Sequence, residues 1–174
     1  MEQLARDTRI SSLYEGTTGI QSLDLLGRKV LGSKGELLAV YLKEISAFCD
    51  TVDADEQTGL WCKQLGQAMQ QWQTLTATVG KAAGTNPDEL GAASVDYLIF
   101  SGYVTLAYYW LKMATVAKQK LAEGTSETDF YQGKVATAQF YFARLLPRAQ
   151  SHAAAIEAGA ASLMDIGEDM FKAE

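Results

Sequence analysis

The strongest constraint on what this chain folds into is the period of its apolar residues. Between Asp53 and Gly80, the positions Trp61, Leu65, Ala68, Trp72, Leu75 and Val79 step by four, three, four, three and four. That spacing puts all six on one face of an α-helix, which is a core face. Lys63, Gln64, Gln67, Gln70, Gln71 and Gln73 lie opposite and are expected to be solvated or weakly packed. The same pattern recurs upstream in Leu38, Tyr41, Leu42, Ile45, Phe48 and Cys49, within Gly35 to Asp50. No stretch alternates apolar and polar residues as a half-buried strand does, so the class is all-α.

A third helix is announced by Asn86-Pro87-Asp88-Glu89. Asn86 is placed to cap it, Pro87 suits the first helical position, and Glu89 is spaced to reach back to the cap. It is expected to run to about Glu123, with Gly124 ending it in a left-handed turn. At 1.5 Å per residue this is a rod of about 50 Å. Its aromatics, from Tyr97 to Trp110, lie nearly all round, as in a helix buried on more than one side. Ser126 is expected to cap a fourth helix striped by Tyr131, Val135, Ala138, Phe142 and Leu145. Pro147 should kink or end that helix near Leu146, and an Ala-rich continuation should stop at Gly159. Four such segments pack most simply as an antiparallel four-helix bundle. Residues 160–174 fit docking or fraying equally well.

A chain of 174 residues that is 48% apolar is long enough to bury one sizeable core. Its net charge of −6 opposes binding to a phosphate backbone, so no nucleic-acid partner is expected. No basic segment followed by an apolar one opens the chain, and a cytoplasmic setting is the default expectation. The apolar run Tyr97 to Leu111 is shorter than the roughly 18 residues a membrane span requires, which favours a core helix over a span. Cys49 and Cys62 lack CxxC spacing and are read as reduced, partly buried thiols. His152 has no second ligand at metal spacing, and glutamates paired with ExxH are missing. Asp53, Asp55 and Glu56 lack the loop of a calcium site. They are expected to cap a helix, and no metal site is assigned.

The N-terminal fifth differs. Tyr14-Glu15-Gly16-Thr17-Thr18-Gly19 places two glycines and two threonines in what would be a turn and a half of helix, so a loop is expected there. Thr17 or Thr18 is then placed to cap a short helix carrying Ile20, Leu23, Leu26 and Val30. Glu15 sits on a loop feeding a helix start. Such a residue is ordinarily solvated or a capping partner, and the backbone N–H groups beside it suit an anion.

Arg9-Ile10-Ser11-Ser12-Leu13-Tyr14-Glu15-Gly16-Thr17-Thr18-Gly19-Ile20-Gln21 resembles the catalytic-loop signature of acyl-CoA dehydrogenases. Asp24-Leu25-Leu26-Gly27-Arg28-Lys29 resembles its continuation in the long-chain subgroup. Residues 36–158 resemble, more loosely, the extra helical domain of that subgroup, which includes the 3-methylmercaptopropionyl-CoA dehydrogenases. The resemblance implies two parts: residues 1–34 ending the dehydrogenase's C-terminal helical domain, and residues 35–174 forming an appended bundle. It also implies that Glu15 removes the pro-R α-proton of an acyl-CoA while a β-hydride passes to FAD, giving a trans-2-enoyl-CoA.

By the same resemblance Tyr14 and Gly16 line the acyl pocket, while Thr17, Thr18 and Gly19 approach FAD. Many relatives have glutamine where this chain has Gly19, so a side-chain contact to FAD is lost or replaced there. Arg28, about two turns into the following helix, is read either as a contact to CoA phosphates or, more commonly for such a position, as a surface arginine. The implied partners are the acyl-CoA substrate, the remaining domains of a longer parent chain, further copies in a homo-oligomer, and an electron-transferring flavoprotein. Such a fragment is expected to be inactive alone. The other class of function compatible with the residues is a stand-alone helical interaction module.

Overall fold

A computed structural model describes residues 2–12, 17–52 and 55–171. Among these there is no β-strand, in agreement with the period of the sequence. A short helix α1 (Glu2–Thr8) and a single-turn 3₁₀ segment (Arg9–Ser12) lead in. Helix α2 (Thr17–Leu23) then runs without a break into a wider π-helical stretch, Asp24–Leu31. The long elements follow as α3 (Glu36–Thr51), α4 (Glu56–Ala83), α5 (Asp88–Ala122) and α6 (Thr128–Phe140). Beyond α6 the chain widens into a π turn (Tyr141–Leu145), tightens into a 3₁₀ turn at Leu146–Arg148, and resumes as α7 (Ala149–Glu157). Pro147 sits inside that tightened turn, which is where a residue lacking an N–H forces the ladder to change. Helix α8 (Ala161–Met164) and a 3₁₀ turn at Glu168–Phe171 close the described chain, with every residue from 161 to 171 exposed.

Each long helix begins and ends for local reasons. Asp55 accepts a bond from the Thr58 N–H at 2.8 Å and starts α4. Asn86 accepts one from the Asp88 N–H at 3.1 Å and starts α5. Glu89 does not reach back as its spacing suggested. Its Oε2 accepts from the Ala160 N–H at 3.1 Å instead, fastening the start of α5 to the end of α7. Gly124, at φ +83, ends α5, and the Thr125 N–H bonds back to the Lys120 carbonyl. Ser126 does not cap α6: the hydroxyl before the helix that accepts a backbone bond is that of Thr125, from the Glu127 N–H at 3.1 Å. Gly159, at φ +71, ends α7.

Helix α5 is the centre, packed against α2, α4, α6 and α7. Tyr97, Phe100, Val104, Tyr108 and Leu111 on it are buried together with Leu65 and Leu75 of α4, Ile45 of α3 and Phe142 after α6. Leu26 and Val30 of the π stretch belong to the same core. Each such side chain contributes about 1.5–3 kcal/mol by leaving water. Trp61 and Phe142 stack with centroids 5.2 Å apart, which locks α4 to the end of α6. The glutamine face of α4 is only partly solvated, because Gln71 and Gln150 of α7 exchange two amide bonds at 2.8 and 3.1 Å. Helix α5 is long enough, and within one 18-residue stretch apolar enough, to cross a membrane. The core helix of a bundle passes the same test.

Candidate functional site

Tyr14, Glu15 and Gly16 lie outside the described residues, so the structural frame of the expected site is the segment that follows them. Thr17, Thr18 and Gly19 form the first turn of α2, and all three are exposed. Helix thus runs from Thr17 onward, beginning at the threonines expected to start it. A Cβ at Gly19 would meet nothing within 4 Å, so the first turn presents an open surface there.

What holds that turn in place is a pair of serines that sequence reasoning passed over. Ser22 is fully buried and donates to the Gly19 carbonyl at 2.8 Å. Its oxygen stands 3.2 Å from the hydroxyl of Ser94 on α5, which is within bonding distance of the Gly91 carbonyl at 3.0 Å. Both serines follow a glycine by three residues, Gly19-Ile20-Gln21-Ser22 and Gly91-Ala92-Ala93-Ser94. A repeated Gly-x-x-Ser was the available signal, since each hydroxyl bonds the glycine's carbonyl and two such turns then meet back to back. Ile20 and Leu23, on the same limb as the buried Leu26 and Val30, are 65% and 44% exposed. The α2 segment thus presents apolar surface outward beside its exposed first turn.

Arg28 is largely exposed and pairs with Asp24 one turn earlier at 2.7 Å. Two clefts flank this limb. One, of about 650 Å³, is lined by Leu31, Lys34, Leu38, Thr76 and Leu90 among others; the other, of about 470 Å³, by Leu23, Pro87, Leu90, Ala92 and Leu163. Neither holds a cluster of titratable groups, and among the described residues no group of three His, Cys, Asp or Glu side chains is arranged to hold a metal.

The remaining polar clusters serve packing. His152 Nδ1 lies 2.7 Å from Asp96 Oδ1, joining α7 to α5. Cys49 and Cys62 are free, half-buried thiols that neighbour one another between α3 and α4. Burial, and then the neighbouring thiol, pushes Cys49 up to about 12, and burial raises Cys62 as well. Neither is therefore poised as a thiolate. The Lys118 ammonium, 2.5 Å away, followed by the Thr58 N–H, holds Asp55 down at about 2. Tyr108 donates to Glu44 at 3.0 Å and accepts from Lys112 at 3.3 Å, linking α3 to α5.

The described residues therefore hold a helical frame and one exposed helix start, but no self-contained catalytic cluster. Residues 41–167, from within α3 past α8, match a protein family described as acetyl-CoA dehydrogenase C-terminal like. The chain belongs to this family of acyl-CoA dehydrogenase C-terminal domains. It is 32% identical over 98% of its length to a broad-specificity linear acyl-CoA dehydrogenase of Mycobacterium tuberculosis, and covers 29% of that protein. It is 32% identical to a 3-methylmercaptopropionyl-CoA dehydrogenase of Ruegeria pomeroyi, over 83% of this chain and 24% of the relative. A butyryl-CoA dehydrogenase of Syntrophomonas wolfei is 30% identical over 97% of the chain, which spans 28% of it. The chain thus spans less than a third of the length of these relatives. The all-α bundle is the fold expected of this family's C-terminal domain.

Proposed function

We propose that this chain is the C-terminal part of an FAD-dependent acyl-CoA dehydrogenase, and that it brings to the parent enzyme the base Glu15 and a helical bundle that supports it. The observation that carries this reading is coverage. Relatives named as acyl-CoA dehydrogenases match 98% and 97% of the chain while being more than three times its length, so the similarity reaches beyond the bundle into the segment around Glu15. Residues 1–34 then complete the dehydrogenase's own helical domain, and residues 35–174 are the appended bundle.

In this reading the Glu15 carboxylate takes the α-proton of an acyl-CoA thioester as the β-hydride leaves, and the substrate becomes a trans-2-enoyl-CoA. A thioester α-proton is only weakly acidic. The base works best desolvated, with its pKa raised toward the working pH, and hydrogen bonds to the thioester carbonyl stabilise the developing enolate. Tyr14 and Gly16, flanking the base, border the acyl chain. FAD, when bound in the full-length enzyme, supplies the hydride acceptor. The exposed threonines at the start of α2 and the open space around Gly19 fit the close approach of a diphosphate or ribose, with Thr17 and Thr18 as hydroxyl donors.

The Ser22–Ser94 contact gives the bundle its part: it holds the first turn of α2 against α5. The chain alone, lacking most of the length of its relatives, does not turn over. Its partners are the rest of the parent chain, an acyl-CoA, further copies of the enzyme and an electron-transferring flavoprotein, in a cytoplasmic setting. The test is to express the complete gene product that contains this chain and add acyl-CoA without oxygen. A yellow protein bleached by the thioester is expected; a product that binds no flavin refutes the proposal.

A further inference from the structure

The central helix keeps one face uncovered, and that face has the period of a coiled-coil seam. Val95, Ile99, Gly102, Leu106, Tyr109, Met113 and Val116 step by four, three, four, three, four and three, the 3.5-residue mean that keeps a helix facing one partner helix. One flank of α5 is covered by α2 and α3, through Ser22 on Ser94 and Glu44 on Tyr108. The other is covered by the α6–α7 limb, through Tyr141 on the Tyr103 carbonyl and His152 on Asp96. Between them the strip stays open: Val95 is 42% exposed, Leu106 50%, Tyr109 49% and Val116 53%. A Cβ at Gly102 would meet nothing within 4 Å, so a second helix has room to approach closely there.

The same steps extend through Ala92 to Asp88 at one end and to Lys120 at the other. An apolar strip about 48 Å long is thus closed by an acid at its N-terminal end and a base at its C-terminal end. We propose that a second copy of this chain docks on this strip through its own α5, antiparallel, about a twofold axis beside residue 104. In an antiparallel pair the two rows of a heptad seam face one another. One register then sets Asp88 against Lys120, Val95 against Met113, Ile99 against Tyr109, and Gly102 against Leu106, each pair occurring twice by symmetry. Opposite charges meet at the ends and the smallest residue faces a large one near the axis. A parallel pair would instead put Asp88 on Asp88 and Lys120 on Lys120. Lys120 meanwhile pairs with Glu123 at the end of α5, at 2.7 Å with both side chains nearly half exposed, a contact weak enough to exchange.

This inference stands independently of the catalytic role of Glu15. It is tested by sedimentation equilibrium of the 174-residue chain at about 100 µM, where a pair of micromolar Kd is almost fully formed. The expected mass is that of two 18.9 kDa chains. Leu106→Glu, at an exposed position, is expected to give monomers with unchanged helical circular dichroism. Asp88→Lys and Lys120→Asp should each weaken association about tenfold, and the double variant should restore it. A monomeric wild type, a pair indifferent to Leu106→Glu, or a double charge swap no tighter than the single variants would overturn the proposal.

Discussion

Replacing Asp55 by Ala removes two supports at once, and the structure gives the size and the pH dependence of each. The carboxylate caps α4 through the Thr58 N–H and hydroxyl at 2.8 and 2.9 Å. Loss of such a cap costs about 1 kcal/mol. It also holds Lys118 of α5, but with its own side chain 54% exposed. Water screens that pair, which contributes about 0.5 kcal/mol. The total of about 1.5 kcal/mol lowers Tm by about 3–6 °C in a chain of this size. Asp55→Asn keeps a good cap and loses only the ion pair, so about a third of the effect is expected. Because Lys118 foremost, and then the Thr58 N–H, hold the folded carboxyl at about 2, the stabilisation is complete above the unfolded pKa of about 4. It shrinks as pH falls through that value and is lost near pH 2. Thermal melts followed by circular dichroism at pH 7 and in steps down to pH 2.5 read this directly. A wild-type advantage over Asp55→Ala that is absent at pH 7, or undiminished at pH 2.5, refutes the reasoning.

Phe142→Ala deletes a ring that is 1% exposed and stacked on Trp61, and should cost about 3–5 kcal/mol in urea unfolding. Gly159→Ala should cost about 1 kcal/mol or more, because φ is +71 and the new methyl would stand 3.1 Å from Glu89 Oε2; a shifted urea midpoint checks it. Gly19→Gln should leave the midpoint within about 0.5 kcal/mol, since the site is open. In the full-length enzyme the same change should slow FAD release, measured by flavin fluorescence on dilution.

The helices were legible because their core stripes are long and uninterrupted. The residues of α4 from Trp61 to Val79 that share a period are all buried, and Gly124 and Gly159 sit at the left-handed ends where only glycine is comfortable. The misses are places where tertiary contacts outbid local ones. Glu89 has the spacing of a capping partner, but the end of α7 brings the Ala160 N–H within reach. The two π stretches carry no sequence mark, because an extra residue per turn is set by how the helix must pack: it turns Leu26 and Val30, then Tyr141 and Phe142, into the core. Ile20 and Leu23 share the period of a core stripe yet face outward. On α5 the aromatics lie nearly all round, and only the packing of its neighbours decides that Tyr109 stays half exposed while Tyr108 is buried. For the candidate site, Thr17 to Gly19 were placed correctly at a helix start. The Ser22–Ser94 clamp was invisible as a pair because its partners lie 72 residues apart.

The central claim is that Glu15 is the base of a flavin-dependent dehydrogenation, and Glu15→Gln in the full-length flavoprotein tests it most directly. The measurement is the rate at which acyl-CoA bleaches the bound flavin in a single anaerobic turnover. The account predicts that flavin stays bound while this rate falls by about 100- to 10,000-fold, the loss of a positioned general base. Bleaching at the wild-type rate would contradict it and place the base elsewhere.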